Sequence, residues 1–64
     1  MDSREILKRL RAAGWCEARQ AGSHLQLKHP DRPGLVTLPH PKRDMKLGTI
    51  KSIERQSGVN LRGG

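Results

Sequence analysis

The sequence predicts an α+β fold with the element order α-β-β-β-α, in a single domain spanning residues 1–64. Three observations carry this. An apolar stripe at helical spacing opens the chain, and a second one occupies its last third. Between them, apolar and polar residues alternate with period two, and that stretch is cut by dense turn signals.

The first helix is expected over residues 3–13, where Ile6, Leu7, Leu10 and Ala13 fall on one face. Asp2 followed by Glu5 has the spacing of a capping box, and Gly14 supplies the stop. Trp15 to Arg19 has weak strand character. Gln20-Ala21-Gly22-Ser23 then reads as a hairpin turn, with Gly22 free to take a positive φ. From His24 to His29, Leu25 and Leu27 point one way while His24, Gln26 and Lys28 point the other. Pro30-Asp31-Arg32-Pro33-Gly34 is read as a turn, and Leu35-Val36-Thr37-Leu38 as a third strand stopped by Pro39 and Pro41. Short turns between three strands make an antiparallel meander. Leu47, Ile50 and Ile53 recur at three-residue spacing in a helix from about Lys46 to Ser57, ended by Gly58, with Val59 and Leu61 returning to the core. Each helix has one apolar face, so both are expected on the same face of the three-stranded sheet. The other face, bearing His24, Gln26 and Lys28, is left open. This order is that of the double-stranded RNA-binding domain.

Composition narrows the function. Lys and Arg number 13 against 6 Asp and Glu, a formal net charge of +7, which favours a polyanionic partner and nucleic acid above all. With one Trp and no Tyr or Phe, the chain has no aromatic platform for stacking bases. Any RNA contact must rest on phosphate, backbone donors, Arg or His stacking, and shape. A single cysteine excludes an internal disulfide and fits a reducing cytoplasm. No apolar run approaches the roughly 20 residues of a membrane span, and neither a signal peptide nor membrane association is expected.

The residues able to carry chemistry are few. His24 stands directly after a Gly-Ser turn on the polar phase of its strand, so its ring is expected to be accessible. A neutral imidazole has a reference pKa of about 6.5, close to working pH, and can take the proton of a ribose 2′-hydroxyl. The activated oxygen then attacks the adjacent phosphate without a metal or small-molecule cofactor. Lys28 on the same face, and Lys42, Arg43 and Lys46 on the approach to the second helix, are the candidate phosphate ligands. The general acid is left unassigned; His40, held between Pro39 and Pro41, is the one other histidine to consider for it, but reads chiefly as a structural turn residue. His24 and His29 lie an odd number of residues apart on one strand, so a regular strand would not let them clamp one ion. No metal site is expected. Cys16 reads as a small, partly buried residue.

Several segments resemble the HicA family of bacterial toxins. They are Gly22-Ser23-His24, the Trp15 that follows Gly14, the run Val36-Thr37-Leu38-Pro39-His40-Pro41-Lys42-Arg43-Asp44, and Leu47-Gly48-Thr49-Ile50-Lys51-Ser52-Ile53 with Arg55-Gln56-Ser57-Gly58-Val59. The resemblance runs from about residue 3 to 59. It implies a double-stranded RNA-binding-domain-like fold used as a ribosome-independent mRNA interferase, with the catalytic histidine at His24 and the turn glycine at Gly22. It also implies a HicB-type antitoxin that binds the toxin and hides its active face. The RNA-binding set expected around His24 is Gly22, Ser23, Lys28, Lys42, Arg43 and Lys46. Two other readings fit the same charge and order: a non-catalytic module for duplex RNA, and a basic ligand for an acidic protein.

Overall fold

The computed structural model describes residues 1–62. Its elements are α1 (Ser3–Ala12), β1 (Cys16–Ala21), β2 (His24–His29), β3 (Arg32–Pro39) and α2 (Leu47–Ser57). The strands form one antiparallel sheet in the order β1-β2-β3, so β2 is central. This is the α-β-β-β-α arrangement of the double-stranded RNA-binding domain. Among the described residues no helix is long and apolar enough to cross a membrane.

The core explains the order. Leu25 and Leu27 of β2 and Val36 and Leu38 of β3 are buried on one sheet face, against Ile6, Leu7 and Leu10 of α1 and Ile50 and Ile53 of α2. Burying that face against both helices removes apolar surface worth about 25 cal/mol per Å² from water. Residues of the opposite phase, His24 and Lys28 among them, stay exposed.

Helix α1 begins as its sequence suggests: the Asp2 carboxylate accepts the Arg4 backbone N–H at 2.8 Å. The reciprocal half of the box is replaced by a forward pair, Glu5 to Arg9 at 3.5 Å. Ala13 is the C-cap and is exposed, so the stripe ends at Leu10. Helix α2 buries Ile50, Ile53 and Ser57, while Leu47 at its first turn is 54% exposed. The expectation for Leu47 fails because Met45, just before the helix, fills that part of the core. Gly58 ends α2 in the left-handed region at φ 73°, donating its N–H to the Glu54 carbonyl at 2.8 Å. A Cβ there would also run into the Arg32 guanidinium.

The central strand has the expected bounds, and the two outer strands extend beyond theirs. Gln20 and Ala21 belong to β1, leaving Gly22-Ser23 as a two-residue loop closed by the Ala21–His24 pair. Gly22 has φ 59° and Ser23 does not have a positive φ, the pattern of a type II′ turn. At the other hairpin the tight turn is only Pro30-Asp31. Pro33 and Gly34 lie inside β3, in a bulge between the Leu27–Val36 and His29–Arg32 pairs, where Gly34 takes φ 83°. An edge strand tolerates both residues, because a bulge accepts a missing N–H and a positive φ. The outer edge of β3 is covered in part by α2, whose Gln56 side chain accepts the Thr37 N–H at 3.1 Å.

Side chains staple the ends of this thin domain. His29 accepts the Asp31 N–H on Nδ1 and donates from Nε2 to the Ala13 carbonyl, both at 3.0 Å. Its ring meets Trp15 edge-on, with centroids 5.2 Å apart. Glu54 accepts the Leu61 N–H at 2.9 Å and pairs with Arg62 at 2.8 Å, seating buried Leu61 on the core. The Leu61 N–H, then Arg62, hold the Glu54 carboxyl below its ordinary value of 4.5. A carboxylate depressed in the folded state adds stability above its unfolded pKa and loses it as pH falls through the folded one. Glu54→Gln is therefore expected to melt below wild type at pH 7, and the difference is expected to vanish once both pKa values are passed on the acid side. Thermal melts of the two proteins from pH 7 down to pH 3 check this.

Candidate active site on the helix-free sheet face

His24 opens the central strand, beside the Gly22-Ser23 loop. Its flanking partners are Ala21 on β1 and Pro39 on β3, neither of which offers a side-chain polar group. The ring is exposed, and among the described residues it makes no hydrogen bond or ion pair. An imidazole with both nitrogens uncommitted can bind a substrate hydroxyl and take its proton. Its position follows from the alternation of β2: with Leu25 and Leu27 buried, His24 must face away from the helices.

The hairpin tip is anchored from the other side of the sheet. The His40 N–H donates to the Ser23 carbonyl at 2.8 Å, and the Gln20 amide donates to the carbonyls of His40 at 3.0 Å and Gly22 at 3.3 Å. The His40 ring turns toward α1, where its Nδ1 lies 2.8 Å from the Ser3 hydroxyl. Ser3 is fully buried, and its hydroxyl accepts the Lys42 N–H at 2.8 Å, while its own N–H donates to the Lys42 carbonyl at 2.8 Å. The Ser3 hydroxyl joins the Lys42 N–H, which it accepts, to His40 Nδ1, with which it shares a proton. His40 thus serves the turn, and its ring faces the helix side while His24 faces the open side.

Lys42 and Arg43 are exposed and line an open recess of about 430 Å³ with Asp2, Arg4, His40 and Pro41. Arg4 hydrogen bonds to the Asp2 side chain and, with its backbone N–H, holds that carboxyl below its ordinary value of 3.8. Arg4 is thereby committed to Asp2, and Lys42 and Arg43 supply the free charge of the recess. It lies at the same end of the sheet as His24. Lys28 shares the face of His24 but sits four residues along β2, about 13 Å at strand rise. Lys46 is the N-cap of α2, exposed and without a side-chain cap bond. The structure therefore brings Gly22, Ser23, Lys42 and Arg43 to the end of the sheet where His24 lies, and sets Lys28 farther along the strand.

The sequence reading missed three residues that shape this end: Ser3, Gln20 and Arg19. Pairing of Arg19 with Gln26 puts it on the open face, one diagonal from His24. The signal was present in the two-residue loop, since a turn limited to Gly22-Ser23 fixes the parity of Arg19 and Ala21. Cys16 differs from expectation as well. It is exposed rather than partly buried, because it pairs with Lys28 on the uncovered face. His24 and His29 lie on opposite sides of β2, and no group of three or more potential metal ligands comes together among the described residues.

Four of the six acids are tied into ion pairs with arginines: Asp2, Glu5, Glu17 and Glu54. The +7 charge is thus left chiefly on cations that make no ion pair among the described residues.

Comparison with known proteins bears on the family and the fold. The family model described as the HicA toxin of bacterial toxin–antitoxin systems matches residues 3–59. A solved structure described as the HicA3 and HicB3 toxin–antitoxin complex is similar at 34% identity and a TM-score of 0.75, covering 95% of this chain and 98% of that one. No curated protein matches the sequence significantly.

The Ser3 knot yields a measurable expectation. Ser3→Ala leaves the part-buried Lys42 N–H and His40 Nδ1 without their partner, and is expected to lower unfolding stability by about 1 kcal/mol. Urea denaturation with an unchanged m-value checks it.

Proposed function

Because the chain belongs to the HicA toxin family, we propose that it cleaves single-stranded RNA, mRNA in the cell, with His24 as general base. Neutral His24 takes the proton of a ribose 2′-hydroxyl. The 2′-oxygen attacks the adjacent phosphorus, and the bond to the 5′-oxygen of the next nucleotide breaks. That oxygen leaves with a proton from solvent, giving a 2′,3′-cyclic phosphate and a 5′-hydroxyl end. The step calls for a base and for stabilisation of charge growing on the phosphate. It uses no metal or cofactor and no ribosome.

The observation that carries this reading is the uncommitted imidazole of His24 on a helix-free face, in a strongly basic domain. Lys42 and Arg43 hold phosphates at the His24 end, Lys28 and Lys46 hold flanking ones, and the Gly22-Ser23 backbone lets the RNA approach closely. Each such contact neutralises a phosphate and makes affinity fall with salt.

The similarity to a toxin solved together with its antitoxin supports a HicB-type partner for this chain. Such a partner neutralises it by covering the His24 face. It also stabilises a small domain by mass action, since it binds the folded state alone. The toxin acts in the cytoplasm, where its mRNA substrate is found.

Purified wild type and His24→Ala, incubated with a short single-stranded RNA, test the proposal. The variant is expected to keep its fold and RNA affinity and to lose about 100- to 10,000-fold in cleavage rate. RNA left intact by both proteins, with duplex preferred over single strand, would instead favour a non-catalytic binding module.

A further inference from the structure

The open face of the sheet carries a second charged group close to His24, and its placement there is built into the strand. In a regular strand Glu17 and Arg19 share a face. Here Glu17 pairs with Leu27 and Arg19 with Gln26, because Ala18 is bulged out between them. Leu27 is buried under the helices and Gln26 belongs to the open face, so the bulge sends the two side chains to opposite sides. Glu17 goes to the helix side and pairs with Arg11 at 2.6 Å. Arg19 goes to the side of His24, away from the one carboxylate on its strand. It is exposed, and among the described residues it makes no ion pair or hydrogen bond.

The other cations are placed less well for the same phosphate. Lys28 is about 13 Å along the strand from His24. Lys42 and Arg43 line the recess shared with His40, whose ring faces α1. Arg19 is a diagonal cross-strand neighbour of His24, with Cα atoms about 7–8 Å apart, a distance that long side chains bridge. Its guanidinium offers two parallel N–H groups to two oxygens of one phosphate, a geometry that lysine lacks.

We propose that Arg19 is a second catalytic residue, binding the non-bridging oxygens of the phosphate attacked in the His24 reaction and stabilising the charge that builds on them. The assignment rests on the endonuclease reading above. Arg19 takes no proton; it holds the phosphate beside the imidazole and neutralises the phosphorane as the 2′-oxygen adds.

Single-turnover cleavage of a short RNA by wild type, Arg19→Gln, Arg19→Lys and His24→Ala tests it, with a phosphorothioate at the mapped cut site as a second substrate. Binding is measured in the His24→Ala background, with and without Arg19→Gln. Arg19→Gln is expected to cleave about 100- to 1,000-fold more slowly than wild type, the range for losing one charge-stabilising donor. Arg19→Lys is expected to recover part of the rate. Affinity is expected to fall far less than the rate, and the cost of the sulfur substitution is expected to shrink in Arg19→Gln. A merely structural role moves neither the sulfur effect nor the split between rate and affinity. Wild-type cleavage by Arg19→Gln beside an inactive His24→Ala would overturn the Arg19 assignment alone. So would a loss of affinity equal to the loss of rate. Wild-type cleavage by His24→Ala would overturn the endonuclease site itself, and the Arg19 assignment with it.

Discussion

Leu25 and Leu27 decide which way His24 faces. Both are buried beneath the helices, and their cross-strand neighbours Leu38 and Val36 are buried with them. A slip of one residue in this pairing would push two leucines into water and draw His24 and Gln26 into the core. At about 25 cal/mol per Å² of apolar surface, that cost exceeds anything a surface contact at this end of the sheet can offset. The uncommitted imidazole therefore follows from the hydrophobic core: the energy that folds the domain also keeps the ring in the open.

The rest of the molecule holds that end of the sheet in place. A chain of 64 residues buries a thin core, and such domains depend on additional ties. Ser3 ties the loop after β3 to the start of α1, and His40 ties the same loop to Ser23. Gln20 closes the arrangement from β1. At the opposite end, His29 and Trp15 join the β2–β3 turn to the end of α1. The histidines thus divide their work by strand parity and loop position. Among the described residues His29 spends both ring nitrogens on backbone and His40 one on Ser3, while His24 spends neither. A bulge at Ala18 adds to this division by sending Glu17 to the helices and leaving the open face cationic.

Much of the fold was legible because its signals were periodic. The stripe Ile6, Leu7, Leu10 and the alternation of Leu25 and Leu27 each have one reading, and capping by Asp2 and Gly58 marks helix boundaries by local chemistry. What sequence missed was set by tertiary contact. Leu47 fits the stripe of α2 but lies one turn beyond the core, where Met45 does the filling. Pro33 and Gly34 signal a turn, yet an edge strand absorbs them as a bulge. For the site, the accessibility of His24 followed from alternation. The Ser3–His40–Lys42 knot joins segments nearly forty residues apart and leaves no local signature. Arg19 is within reach of inference only if the turn is limited to Gly22-Ser23, because a four-residue turn leaves its strand parity unset.

The central claim is that an imidazole on the bare side of the sheet removes a proton from a ribose 2′-hydroxyl. The most direct test gives the wild-type protein an RNA whose cut site has been mapped, with a single 2′-deoxy nucleotide placed 5′ of the scissile phosphate. The account predicts that this one site resists cleavage while the unmodified RNA is cut, with ends bearing a 2′,3′-cyclic phosphate. Cleavage at the modified site at the unmodified rate would contradict it, because the attacking oxygen would then have to come from elsewhere.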